Sequence, residues 1–586
     1  MEAPYFLNVV KNRKLFGVEG LGALWISIAV LVLETKILFI DNTLYVYSLQ
    51  QLIENTKYLA IYVTYGLSVV FVPLLIALAP SILRELTFIH RTVAERAASV
   101  VKLSSLRSRL SVVIVSIPIA SLSLFYGMIH DSVPIMLISC VPVFVLLAIL
   151  LEPFIRVSEH RKAIEMELPW FAILLEIVES IGAGVGFLIE RLRSSRLLKA
   201  VARELDVIDR DSKLYYLSQI DAFLSRASRT PSARFARFLA GYATRLRAGI
   251  NVVSWLREWI REELMRSELV HRIFSDRASM VIAQLAIGVY TFIPLVMASL
   301  GELTPLTTVL IPVLGTPALI VMAYALRPKS LDTVSIKRCL LSLALLAFLS
   351  LALYRALGPY SVVLGWVAAI LLSLPVYRQL RECEVLSRES YDILRDLIEY
   401  CRMGISITSA LREIAKSSAL SSITRSRLQE VLKLVDMGVP LTQTVKYVRT
   451  PSFTFKFTIF ALGLMYESGV VSPETIHRLI ETMKRIEMSL EGVKKLATMF
   501  DMFALANVGI VVWIYKTFKA FTPLQVPQYV AVSVGTLPGS ALAIMLAISM
   551  LGYAIISTVL RRGYIAFEPR HAIFATISLL AMPFLC

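Results

Sequence analysis

Cysteine is scarce in this chain. Its five cysteines (Cys140, Cys339, Cys383, Cys401 and Cys586) form no C-x-x-C pair among 586 residues, which argues against a disulfide framework or a zinc site. The six histidines are scattered, with no H-E-x-x-H, so no metal is assigned. No G-x-x-x-x-G-K-[ST] stretch occurs, so the chain carries no phosphate loop of its own. The run G-A-G-V-G at 182–186 sits inside a helical pattern with no strand before it, which removes the context a dinucleotide loop needs. Glu262 and Glu263 lie in the highly charged R-E-W-I-R-E-E-L and read as a solvated face. With no catalytic constellation, the expectation is a protein without enzymatic activity and without a cofactor.

Long apolar runs, by contrast, are abundant. Hydrophobic residues make up 57% of the chain and the mean hydropathy is +0.70. Eleven runs, near 19–40, 58–80, 111–129, 133–152, 280–300, 304–326, 339–355, 361–377, 500–516, 535–559 and 570–586, are apolar enough to read as membrane spans. A basic stretch (Lys11, Arg13, Lys14) precedes the first run, and no small-residue cleavage site follows it, so that run is expected to be a retained anchor. Alternating from a cytoplasmic N-terminus puts about sixteen Lys and Arg in the inner short loops and about five in the outer ones. This predicts a multi-pass protein of the cell membrane, with the C-terminus outside and two long polar segments in the cytoplasm. The spans hold few charges, with Glu34, Lys36 and Asp501 at their edges, and prolines such as Pro118, Pro142, Pro294, Pro312 and Pro317 read as kinks. The net charge of +17 suits lipid head groups or an acidic protein partner. No RNA-binding pattern accompanies it, so nucleic acid is not expected.

The tetrapeptide R-T-P-S occurs at 229–232 and again at 449–452, 220 residues apart. On the same offset Glu179 falls on Glu399, Glu176 on Asp396, Gly184 on Gly404, Gly249 on Gly469 and Phe235 on Phe455. Four apolar runs overlap their counterparts under this shift, so the chain reads as a parallel duplication. The expected fold is all-α: a polytopic helical membrane protein with two duplicated cytoplasmic helical-bundle domains. The expected layout is an N-terminal two-span region with a basic loop (1–110), a transmembrane pair (111–152), the first cytoplasmic domain (153–279) and a second pair (280–326). A basic loop with a third pair (327–377), the second cytoplasmic domain (378–499) and the C-terminal spans (500–586) complete it.

Within both polar segments apolar residues recur at helical spacing, and a glycine then opens a new helical pattern at Gly184, Gly249, Gly404 and Gly438. Glycine suits a left-handed C-cap, and Asn251, Ser406 and Pro440 two residues later suit a helix start. These corners predict small antiparallel bundles.

A glycine with an apolar-polar-apolar start, repeated in duplicated helical domains, resembles the F domain of type II secretion and type IV pilus systems. E-S-G-V-V at 467–471 is similar to that family's E-x-G turn, with Glu467 and Gly469 its key residues. The layout resembles the archaeal type IV pilus and archaellum membrane platform proteins (TadC/FlaJ-like) over most of 111–520. The first segment departs from the pattern, with Arg247-Ala248-Gly249 where the second has Glu467-Ser468-Gly469.

The resemblance implies a platform that couples a hexameric cytoplasmic secretion ATPase to extraction of pilin-like subunits and filament assembly, as a homodimer in the bilayer. The alternative is a transporter or permease subunit with enlarged cytoplasmic domains, which requires polar residues at the midplane of the spans. The arginines and lysine near the glycine corners are the candidate ATPase-docking surface: Arg191, Arg193, Arg234, Arg237, Arg245 and Arg247 in the first domain, and Arg402, Arg412, Lys446 and Arg449 in the second. Glu179 and Glu399, kept by both halves, read as capping or ion-pairing residues.

Overall fold

The computed structural model describes residues 141–293, 305–326, 331–334, 336–469, 472–521 and 539–585. The expected spans near 19–40, 58–80 and 111–129, and the basic loop between 80 and 111, lie outside the described residues. By compactness the chain divides into two units, Met1–Lys162 with Ser228–Ala236, and Ala163–Ala227 with Arg237–Cys586. In the first unit the described residues include an i,i+4 ion pair of Arg156 with Glu152 and the first R-T-P-S turn. The rest of the description concerns the second unit, apart from helices that run across the division.

The described residues form helices and no strand. A first series comprises α1 (Val141–Ser180), α2 (Gly184–Ser195), α3 (Lys199–Tyr215), α4 (Gln219–Arg229), α5 (Ala233–Arg247) and α6 (Val252–Ile287), which ends in a π-helical turn, Gly288–Phe292. Helices α7 (Pro305–Leu326) and α8 (Ile336–Leu357) follow. A second series comprises α9 (Tyr360–Arg402), α10 (Ile407–Lys416), α11 (Ser422–Asp436), α12 (Leu441–Tyr447), α13 (Phe453–Glu467) and α14 (Pro473–Phe521), and α15 (Gly539–Arg562) and α16 (His571–Leu585) close the chain. The starts of the six helices in the two series differ by about 220 residues throughout.

Apolar run and polar segment are joined within single helices. The run near 361–377 and the following polar residues form one 43-residue helix, α9, and the run near 500–516 ends the 49-residue α14. Pro375 lies at the first junction and Gly492 near the second, yet each helix runs through as one element. Among the described residues three helices are long and apolar enough to cross a membrane, within Tyr360–Arg402, Lys495–Thr517 and Gly539–Arg562. Shorter apolar helices, Met280–Phe292, Val309–Ala325, Leu341–Leu357 and His571–Phe584, coincide with four other expected runs.

These apolar helices share one core, which includes Tyr290, Trp366, Phe500, Met545, Tyr553 and Phe574. Helix α15 has nowhere to place a side chain at its closest approach: a Cβ on Gly552 would lie 2.0 Å from the Tyr290 hydroxyl. Several polar groups inside this core pair with one another, whereas the Trp366 ring N–H has no partner among the described residues. Tyr290 OH lies 3.1 Å from Thr316 Oγ1, Thr291 Oγ1 donates to Asn507 Oδ1 at 2.5 Å, and Asn507 Nδ2 donates to Ser549 Oγ at 2.8 Å.

The glycine corners take the left-handed conformation expected of them, with φ of +73° at Gly184, +65° at Gly249, +77° at Gly404 and +84° at Gly438. The helix starts that follow are capped as their side chains allow: Asn251 accepts from Val253 and Ser254 N–H, and Ser406 from Ser409 N–H. Both R-T-P-S turns end in the same cap. Ser232 accepts from Phe235 N–H and Ser452 from Phe455 N–H, each at 3.3 Å, ahead of two helices of 15 residues.

Candidate functional site

The two helical series meet along α13. This helix reads F-T-F-K-F-T-I-F-A-L-G-L-M-Y-E and is buried along nearly its whole length, because it faces neighbours on all sides. Trp170 of α1 packs edge-on against Phe453 and Phe457, with ring centroids 5.1 and 4.6 Å apart. Arg191 Nε lies 2.9 Å from Glu467 Oε2, a charge contact outside hydrogen-bond alignment. Glu176 accepts from Arg257 at 2.9 Å and from Arg478 at 3.4 Å. An aromatic cluster and two ion pairs therefore join residues that the sequence keeps roughly 280–300 positions apart.

Glu467 organises its corner as well as the junction. Its Oε1 accepts from the backbone N–H of Thr442 at 3.0 Å and from the Thr442 hydroxyl at 2.7 Å. The carboxylate thus caps the first turn of α12, where unpaired N–H groups and the helix dipole favour negative charge. Gly463, one turn earlier on α13, makes the approach possible: a Cβ there would sit 2.7 Å from the Thr442 nitrogen. Arg247, at the position 220 residues before Glu467, reaches the same part of the preceding helix with the opposite charge, pairing with Asp221 in the first turn of α4. The E-x-G pattern and its R-A-G departure tie the same elements together through different chemistry.

Most of the candidate docking residues are engaged within the chain. Arg193 holds Asp206 at 2.6 Å and Asp209 at 2.8 Å, which together with Lys213 keeps the Asp209 carboxyl below its usual range. Arg245 stacks on Trp255, 4.7 Å from the ring centroid, and Arg412 pairs with Asp436. Arg402 pairs with Glu399 at 3.1 Å, both exposed. Lys446 lies over the Tyr447 ring at 5.4 Å. Arg449 is exposed, and its backbone N–H donates to Glu430 at 3.3 Å. Arg237 is exposed and Arg234 half-buried on α5.

Glu179 and Glu399, equivalent in sequence, have different surroundings. Glu179 accepts from Tyr242 OH at 2.7 Å, and burial with that bond pushes the phenol well above its ordinary range. Leu462 stands 220 residues after Tyr242 and offers no hydroxyl, so Glu399 turns out to Arg402. Glu263, expected on a solvated face, is buried while Glu262 is exposed: adjacent helical positions point to different sides.

Three features were missed in the sequence. Glu167 on α1 is buried, and its Oε2 accepts from Ala200 and Val201 N–H, both at 2.8 Å, at the start of α3; burial outweighs these bonds and pushes its pKa up to about 7. Asp332 caps α13 by accepting from Phe453 N–H at 2.8 Å, while its own carbonyl accepts from Tyr564 OH at 2.6 Å. At the α15–α16 turn, Asp501 binds Arg561 at 3.1 Å and Arg570 at 2.9 Å, and Glu568 binds Arg562 at 2.7 Å and Arg570 at 2.5 Å. Within this cluster His571 Nδ1 accepts from Glu568 N–H at 3.3 Å, which leaves Nε2 to donate to Thr558 Oγ1 at 3.0 Å. The one signal in the sequence was an acid and a histidine in a short, otherwise basic loop.

No group of three His, Cys, Asp or Glu side chains that could hold a metal occurs among the described residues. No family model, curated protein or solved structure matches this chain.

Proposed function

We propose that this chain is an integral membrane platform of an archaeal type IV pilus-like machine, for a pilus or an archaellum, which couples a cytoplasmic secretion ATPase to pilin extraction and filament assembly. The observation that carries this reading is the pair of six-helix series spaced about 220 residues apart, with α6, α9 and α14 each joining an apolar segment to a polar one. We take the series as a duplication. The shared R-T-P-S caps, the left-handed glycines at 184/404 and 249/469, and the matched 15-residue helices α5 and α13 support it. In this reading both bundles lie in the cytoplasm, and their joint along α13 lets them receive a partner's motion as one body. The apolar helices, poor in charge, face pilin-like helices, and two copies assemble in the membrane.

The test is co-purification of the full-length chain, in mild detergent, with a hexameric secretion ATPase encoded beside it, at low and high salt. Retention that weakens with salt is the expected result. Failure to retain the ATPase under either condition would remove the coupling role.

The transporter reading draws on one observation, the polar set Thr291, Asn507 and Ser549 inside the apolar helices. These groups are uncharged and satisfy one another, as packing contacts between apolar helices do. A substrate path would instead present unpaired groups to a cavity.

A further inference from the structure

We propose that Arg378 and Arg381 form a binding site for the phosphate of an anionic lipid head group, at the edge where α9 and α15 leave the apolar layer. The level of that edge is set by two observations. The apolar run of α9 ends at Tyr377, and α15 ends at Arg562. The Arg562 guanidinium sits over the Tyr377 ring, 5.3 Å from its centroid, so the two helices leave at one height.

Most carboxylates described at this level already have a cation, and the buried Asp332 accepts from the Phe453 N–H. Asp501 is shared by Arg561 and Arg570, and Glu568 by Arg562 and Arg570. Glu384 lies 3.4 Å from Arg562, and Glu382 holds Arg427 at 2.8 Å. Arg378 and Arg381 are exposed and make no ion pair among the described residues. Among the described residues of this stretch of α9, Arg378 and Arg381 are thus exposed cations without a carboxylate partner.

Geometry makes the pair a site. Residues three apart on a helix project from the same side, about 4.5 Å apart along the axis, within reach of one phosphate. Guanidinium groups suit the planar, two-point recognition of phosphate oxygens. The interfacial layer is roughly 6 Å deep on each side of the hydrocarbon. Arg378 and Arg381 fall inside that depth from Tyr377, whereas Arg388, exposed on the same helix, stands about 10 Å further out.

The ionic cluster beneath supplies rigidity. Arg562 is held by Glu568, and Ser373 Oγ donates to the Phe567 carbonyl at 2.6 Å, tying α9 to the α15–α16 turn. A bound head group would thereby brace the end of α9 against α15.

The proposal rests on α9 and α15 crossing a bilayer, not on the ATPase partnership. The experiment uses the full chain in neutral detergent, with thermal unfolding followed on addition of phosphatidylglycerol, phosphatidylcholine or inorganic phosphate. Phosphatidylglycerol is expected to raise Tm by several degrees while the other two leave it unchanged. The Arg378→Gln/Arg381→Gln double variant should bind phosphatidylglycerol at least about tenfold more weakly, and Arg388→Gln should bind as the parent does. Native mass spectrometry of Arg378→Gln alone gives a second readout should the double variant fold poorly, with fewer retained phosphatidylglycerol molecules expected. An undiminished shift in a membrane-retained double variant overturns the site. An equal shift with inorganic phosphate overturns the lipid assignment. Loss of the parent chain from carbonate-washed membranes removes the premise itself.

Discussion

Glu467 ties α13 both to α12 and to α2. It accepts two hydrogen bonds from Thr442 and lies against Arg191. Glu467→Ala leaves the Thr442 N–H and a half-buried guanidinium without partners, a loss of about 2–3 kcal/mol. Thermal unfolding of the purified chain should show it as a clear fall in Tm, and a parent-like Tm would refute the assignment. Glu167 predicts a pH effect. Its folded pKa of about 7 lies above the ordinary carboxyl value of 4.5, so its contribution is fully present below about pH 4.5 and fades as pH rises through 7. The change is on the order of 3 kcal/mol. Glu167→Gln keeps an acceptor for the Ala200 and Val201 N–H groups, so it should flatten the fall in stability between pH 5 and 8. A variant with the same pH slope as the parent would show that Glu167 is not the group responsible.

At the scale of elements, the corners and caps decide where helices turn. Gly404 has open space where a Cβ would stand but a φ of +77°, so Gly404→Ala costs backbone strain alone, roughly 1–2 kcal/mol. Gly463→Ala acts differently, pushing a methyl into the Thr442 backbone and separating α12 from α13. The expected signature is faster hydrogen exchange in α12 for Gly463→Ala than for Gly404→Ala, and equal protection in the two would discount the close approach. Ser452→Ala removes the α13 cap at a cost of about 1 kcal/mol. The corners and caps were legible, since Gly followed by Asn or Ser is local chemistry. The continuity of α9 and α14 was not: hydropathy changes where these helices leave the apolar layer, but the backbone does not.

For the whole molecule, the decisive feature is the joint between the two helical series. Trp170, half-buried, packs against Phe453 and Phe457, and Trp170→Ala should cost roughly 1–3 kcal/mol, less than truncation of a fully buried aromatic. It should loosen α13 and, through the Phe453 N–H held by Asp332, the segment that touches Tyr564. Hydrogen exchange across 453–467 is the measurement, and unchanged protection would show that the joint is not held by this aromatic cluster. The all-helical class, the apolar runs, the glycine corners and the 220-residue periodicity are properties of the sequence by itself, because each depends on neighbours within a few turns or on repetition along the chain. Which arginines are engaged was decided only by the tertiary structure. Arg191 and Glu467, Glu176 and Arg478, and Asp501 and Arg570 are distant in sequence, and a side chain's charge does not say whether water or a carboxylate will face it once the helices pack.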